Sequence, residues 1–471
     1  MKLPRSGAAV MVAVLLVAPT GAAAQDQGTQ PQIELQRLSR SLFGDMRRAK
    51  LTDTYSYANM DTMPSVKPMF RPDAATYTTD LFAPHPHPVR VSAASPLLST
   101  DPMEFLFRPV RNLEDVLYQD LGTRINLYNV QVWQWASGVI PGAQNHLPVN
   151  RFDFRWSTHL WEIEGLGAGR FDAQLRITHL FPGTSAELGA DVGSLTALDS
   201  DYTTQPTKIP RLSFQQALFD NRVFVGVGKC NPNDYYGLNL YASDETSQYL
   251  AQIFDGGTAQ PAGWQGYMPA VWLQAVPVGG WYVNVIATSP LGASHTAFQS
   301  VGDGLWWLGV ETGLVTEFGA DALPGRYSIA CSTTNTGANT TSTANEVYGN
   351  SMTLVAQQAV AKGTGLWVQW TYTEPDLWVA QSEPALGITI NDCFGRIGDG
   401  FGAAIGWTVP SKLQPGQEDF RTQMTAETYY RLQLSNSTQL TADIEWINQP
   451  NNPANTHENA VAFALRLKVQ F

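Results

Sequence analysis

Residues 461–471 read VAFALRLKVQF. Their odd positions, Val461, Phe463, Leu465, Leu467, Val469 and Phe471, are all apolar, and their even positions, Ala462, Ala464, Arg466, Lys468 and Gln470, are small or polar. Strict period two puts one set on each face of a single β-strand. A strand with one fully apolar face and one charged face suits hydrocarbon on one side and a wet lumen on the other. A soluble sandwich strand can alternate in the same way. The terminal phenylalanine, a common ending of outer-membrane barrels, decides for the membrane reading.

The alternation recurs upstream. Arg151, Asp153, Arg155 and Ser157 oppose Phe152, Phe154 and Trp156; Arg170, Asp172, Gln174, Arg176 and Thr178 oppose Phe171, Ala173, Leu175 and Ile177. Later, Glu427, Tyr429, Arg431 and Gln433 oppose Thr428, Tyr430, Leu432 and Leu434, and Gln439, Thr441, Asp443 and Glu445 oppose Leu440, Ala442, Ile444 and Trp446. Sixteen such segments are predicted, near 124–134, 150–162, 170–180, 209–218, 221–230, 268–276, 280–288, 303–316, 326–334, 351–360, 364–373, 385–391, 402–409, 424–435, 438–447 and 459–471. Short turns such as 219–220 and 436–437 alternate with long joins such as 181–208 and 231–267, the rhythm of periplasmic turns and external loops. Two joins that should be short, 317–325 and 392–401, are longer than that rhythm prefers. The predicted fold is all-β: an up-and-down antiparallel transmembrane β-barrel of about 16 strands over residues 116–471, with an N-terminal non-barrel extension.

Lys2 and Arg5, the uncharged run from Ala8 to Ala18 and the small residues Ala22 to Ala24 have the layout of a secretory signal peptide over residues 1–25. Residues 26–115 read as an extension that is partly helical or disordered. Ile33 to Ala49 can form one amphipathic helix, and the rest is rich in proline. No later stretch has the ~20 continuous apolar residues of a membrane-spanning helix. A net charge of −12 argues against a nucleic-acid partner, and three cysteines do not make a disulfide scaffold. No G-x-S-x-G or H-E-x-x-H motif is present, and His85 and His87 have no partner at a metal-binding spacing, so neither cofactor nor metal is expected.

From Arg211 the chain runs RLSFQQALFDNRVFVGVGKCNPNDYYGLNLYASDETSQYLAQIF. The strand with its glutamines, the turn at 219–222, the GKCNPNDY block at 228–235 and the DETSQ stretch at 244–248 resemble the central signature of the carbohydrate-selective (OprB-like) porin family. EGLGAGRF at 164–171, LPGRY at 323–327 and DIEWINQP at 443–450 fall in the expected order. Lys229, Asn233, Asp234, Asp244, Glu245, Thr246, Ser247 and Gln248 carry the motif. The resemblance spans about residues 115–471 and implies a barrel pore in the outer-membrane lipid that passes small saccharides and in some members assembles as a homotrimer. The chain departs from the family at its opening, with Asp120-Leu121-Gly122-Thr123-Arg124 where members have an Asp-Trp-Gly-Gly-x-Arg type element, and residues 26–115 have no counterpart.

A sugar-passing lumen needs hydrogen-bonding groups for hydroxyls, and aromatic faces for the apolar sides of the ring. On the inferred polar face stand Arg155, Arg170, Arg176, Asp153, Asp172, Arg431, Asp443, Glu445, Arg466 and Lys468. Opposite charges there can also simply pair across strands. Tryptophans on apolar faces, such as Trp156 and Trp446, suit an interfacial girdle. Competing readings are a barrel that anchors the extension to the envelope, and a barrel-borne enzyme. The 231–267 loop discriminates between two kinds of pore: folded inward it makes a constriction, and folded outward it leaves a wide general pore.

Overall fold

A computed structural model describes the chain from residue 96 to residue 470, apart from residues 99, 122, 164–166, 182–186, 200–206, 220–221, 257–266, 279, 290–303, 320–322, 336–348, 376, 413–417 and 452–456. The signal segment, the predicted Ile33 to Ala49 helix, His85, His87 and the terminal Phe471 therefore lie outside the described residues.

Sixteen strands follow one another: β1 Thr123–Ala136, β2 His146–Ile163, β3 Gly167–Leu180, β4 Thr207–Leu218, β5 Val223–Cys230, β6 Met268–Val278, β7 Trp281–Thr288 and β8 Trp307–Phe318. They continue as β9 Leu323–Thr334, β10 Gly349–Ala361, β11 Thr364–Thr373, β12 Ala380–Asn391, β13 Gly400–Pro410, β14 Gln423–Gln433, β15 Thr438–Asn448 and β16 Asn459–Gln470. Each pairs antiparallel with its sequence neighbours, and β1 pairs with β16, so the sheet closes on itself and leaves no edge. Val132 stands opposite Arg466 and Trp133 opposite Leu465 across the closing seam.

The predicted strands are all present. The join expected over 317–325 is shorter, because β8 continues to Phe318 and β9 begins at Leu323; proline and glycine at 324 and 325 are accommodated in the ladder. The join 392–399 is long and carries a 3-10 turn at Cys393–Gly395. Between β10 and β11 the turn is Lys362-Gly363, where Gly363 has φ 78° and an added Cβ would sit 2.8 Å from the Asn391 carbonyl oxygen, so glycine is required twice over.

A one-residue slip would exchange the two faces of every strand, so burial checks the register. Leu465 is 42% exposed on the outside and Arg466 is fully buried on the inside. Asp443, Glu445 and Glu427 are likewise buried inside, and Phe463, Leu386, Val368 and Val271 are exposed outside.

The core lies inside the barrel. Leu240, Tyr241, Tyr249, Ile253 and Phe254, from the join after β5, pack against Tyr282, Trp367 and Tyr429 of the wall. Leu188, Val192 and Leu198, from the join after β3, pack with Val130, Val132, Leu147 and Val149 of β1 and β2. Both joins thus fold inward, each large apolar side chain contributing on the order of 1.5–3 kcal/mol by leaving water. This also explains why the inner face of β1 is more apolar than a wet lumen requires.

A helix, α1 (Glu104–Leu121), precedes β1. It crosses the boundary expected at residues 115/116, so the barrel proper starts at Thr123. The Leu97 and Leu98 amides donate to the Gln433 and Leu434 carbonyls, which ties this segment to the β14–β15 turn at the end of the barrel opposite the long joins. All three cysteines are unpaired, and no two lie on neighbouring strands.

Candidate functional site

Irregular backbone at membrane depth needs every amide and carbonyl satisfied by protein or lumen water. The loop after β5 meets this demand by running along the inner wall. Asp234 pairs with Arg211 of β4. The Gly237 amide donates to Glu311 of β8 (2.7 Å), and Arg326 of β9 donates to the Leu238 carbonyl (2.8 Å). The Leu240 amide donates to Gln357 of β10, the Asn239 amide side chain to Gln369 of β11, and Thr389 of β12 to the Tyr241 carbonyl.

Its second half is held on the opposite side. Glu427 of β14 accepts from the Leu250 and Ala251 amides (2.6 and 2.9 Å), and Arg431 donates to the Ser247 carbonyl (2.9 Å). Arg466 of β16 donates to the Glu245 and Gln248 carbonyls (2.6 and 2.5 Å), and Lys468 donates to the Thr246 hydroxyl (2.8 Å). Arg151 of β2 pairs with the Glu245 carboxylate. The loop is therefore a belt inside the barrel, and it narrows the lumen.

Asp244 organises a bend of the belt by accepting from the Thr246 amide and from the Thr246 and Ser247 hydroxyls. Gln248 donates back to the Leu240 carbonyl. Asn231 caps the short turn Pro232–Asp234 by accepting from the Asn233 amide, and Lys229 sits half-buried in β5. The motif residues from 233 to 248 thus shape and seat the loop.

Beside the belt's 245–248 stretch, side chains of β1 to β4 and β16 and Tyr267 at the end of the loop form a basic and aromatic wall. Arg155 donates to the Tyr128 hydroxyl (2.8 Å), and its guanidinium lies 5.1 Å from the Tyr128 ring centre. The Lys468 ammonium lies 5.6 Å from the same ring. Arg176 donates to the Tyr267 hydroxyl (2.6 Å), and the Lys208 ammonium lies 4.7 Å from the Tyr267 ring centre. Asp153 accepts from both Arg151 and Arg176 and so holds two guanidinium groups at once. Among the described residues, Arg155 makes no ion pair.

The ten sequence-derived lumen residues therefore divide. Arg155, Arg176, Asp153 and Lys468 come together at this wall. Arg431 and Arg466 are spent on loop carbonyls. Arg170 and Asp172 pair with each other (2.9 Å) and adjoin Gln215 and Tyr235. Asp443 and Glu445 make no ion pair among the described residues and lie next to Glu427, where Gln134 donates to Glu445 (2.7 Å) and to the Leu198 carbonyl of the inward-folded join. Trp272, Trp307 and Trp367 turn inward, with Tyr235, Tyr236 and Tyr249 of the loop against them, while Trp156 and Trp446 face outward.

Sequence reasoning missed Tyr128, Tyr267, Lys208 and the Arg326–Glu311 anchor. Tyr128 lies in a strand whose alternation is blurred by Val130 and Val132. Tyr267 ends a long join, where no periodicity marks it.

The sequence pattern of the family described as "Carbohydrate-selective porin, OprB family" matches residues 144–471, well over half of the chain. This chain belongs to that family. A structure of Pseudomonas putida OprB at high pH resembles this porin with a TM-score of 0.62 at 15% identity, over 80% of this chain and 99% of that one. The low-pH structure of the same protein has a TM-score of 0.44 at 13% identity, over 80% and 99%. A Rh. blastica porin variant has a TM-score of 0.45 at 13% identity, over 74% and 100%. No curated protein matches. Family and fold put the porin in the outer membrane and make it a channel rather than an enzyme.

Proposed function

We propose that this porin, exported by the signal segment 1–25, lets small saccharides diffuse passively across the outer membrane, with no cofactor or energy source. The observation that carries the reading is the wall of Tyr128, Arg155, Arg176, Lys208, Tyr267 and Lys468 beside the inward loop. Guanidinium and ammonium groups donate to sugar hydroxyls, and Arg155 is the least buried group of this wall, with Tyr128 packed against it. Arg155 is the best placed of these, since its one protein acceptor is a neutral hydroxyl that a sugar hydroxyl can replace.

Replacing Arg155 with Ala is expected to weaken saccharide block of the single-channel current about tenfold while changing the open-channel current less than twofold. A lost hydrogen bond to a charged donor is worth about 1.5–3 kcal/mol, which corresponds to that factor or more. Titration of maltose against single-channel current checks it. Unchanged sugar affinity would move the sugar contact away from this wall.

A further inference from the structure

Tyr128 projects inward from β1 and is almost fully buried. Its hydroxyl oxygen accepts from two guanidinium groups, those of Arg155 (2.8 Å) and Arg151 (3.3 Å). The phenol still has its own O–H to give, and no acceptor for it stands among the described residues. Arg155 repeats the pattern: its Nε is buried without a partner, and its one hydrogen bond goes to that phenol. Lys468 of β16 is buried too, and the Thr246 hydroxyl takes one of its three N–H groups. Three side chains thus meet with donors left over and no acceptor between them.

Charge points the same way. The Arg155 guanidinium and the Lys468 ammonium lie against one ring, 5.1 and 5.6 Å from the Tyr128 centre. Neither makes an ion pair among the described residues, because the carboxylates around them are engaged elsewhere. Asp153 holds Arg151 and Arg176, Glu245 holds Arg151, and Asp244 accepts from the Thr246 and Ser247 hydroxyls. Two like charges facing one ring repel each other, more strongly inside a protein wall than in bulk water, until an anion sits between them. Directly opposite Arg155 across the β1–β2 ladder is Asn126, whose side-chain oxygen is buried with no donor. Beside the donors stands one neutral acceptor, suited to a sugar hydroxyl.

We propose that Tyr128, Arg155 and Lys468 form a seat for the carboxylate of an acidic monosaccharide such as a uronate, with Asn126 accepting from a hydroxyl of the same molecule. This deepens the saccharide reading of the wall and rests on it. A hydroxyl both donates and accepts, whereas a carboxylate only accepts, so a set of donors with no acceptor among them favours the carboxylate. The planar fork of Arg155 matches the two oxygens of a carboxylate, and Lys468 adds a second charge.

Block of the single-channel current by glucuronate and by glucose, extrapolated to zero voltage, tests the seat on the full chain. The two sugars differ only by a carboxylate in place of a CH2OH group. At low salt glucuronate is expected to block at a concentration about tenfold below that of glucose, the factor that corresponds to about 1.4 kcal/mol. Raising the salt from about 0.1 to about 1 M shortens the screening length from about 10 to about 3 Å and is expected to bring the ratio below about threefold. Lys468→Gln at low salt is expected to do the same. Equal block by the two sugars in the unchanged protein would overturn the proposal and leave the saccharide reading standing, whereas block by neither would remove both. Tighter block by glucose 6-phosphate than by glucuronate would overturn the carboxylate assignment, and a ratio untouched by Lys468→Gln would place the carboxylate away from Tyr128. The comparison in the unchanged protein decides the matter even if the variant does not fold.

Discussion

Replacing Leu465 with Arg destabilises the barrel by about 2–4 kcal/mol, the cost of an arginine facing lipid near the middle of the bilayer. Leu465 lies mid-strand on the outer face of β16, opposite Trp133 of β1 and Ala442 of β15. Its direct partners across both seams are apolar or aromatic, so the guanidinium must reach along the wall for water or for the Gln131 side chain that stands opposite Leu467. Denaturant titration of refolding into vesicles measures the loss. A change below about 1 kcal/mol would mean that this face does not meet lipid.

Replacing the adjacent Arg466 with Leu acts on a different part of the molecule. A lumen charge one residue from a lipid-facing leucine reads, from alternation alone, as a group that can be removed with little effect on stability. The two carbonyl contacts of Arg466 change that expectation. Each hydrogen bond to a charged donor is worth about 1.5–3 kcal/mol, and leaving the Glu245 and Gln248 carbonyls unsatisfied adds to the loss. The belt is expected to lose on the order of 3 kcal/mol of anchoring at this point while the strand ladder survives. Hydrogen exchange is expected to rise in residues 240–252, and single-channel current is expected to become larger and noisier. Unchanged exchange and current would show that the remaining contacts through Glu427, Arg431 and Arg151 hold the loop without it.

The contrast between these two neighbours shows how far the sequence can be read. Period two separates Leu465 from Arg466 because a pleated strand puts successive side chains on opposite faces, and the same rule located all sixteen strands. Alternation reports only which face a residue occupies. It is silent on what occupies the lumen, and here the lumen holds a loop with its own peptide groups to satisfy. Arg431, Arg466 and Glu427 are therefore bound to backbone, while Arg155, with the same pattern in sequence, is left beside a tyrosine. The inward apolar positions Val130 and Val132 weakened the first strand's signal for the same reason, since they pack against Leu188, Val192 and Leu198. The 244–248 motif was legible as a family signature, yet its physical role, a bend tied down by Asp244 and gripped by Arg466 and Lys468, depends on contacts more than two hundred residues apart in the chain.

The central claim is that a barrel narrowed by its own inward loop passes sugars, and planar-bilayer recording of the purified protein tests it most directly. Stepwise currents of uniform size that fall as maltose or glucose is added are the expected result. Absence of steps, or steps that no saccharide reduces at concentrations up to the molar range, would contradict it.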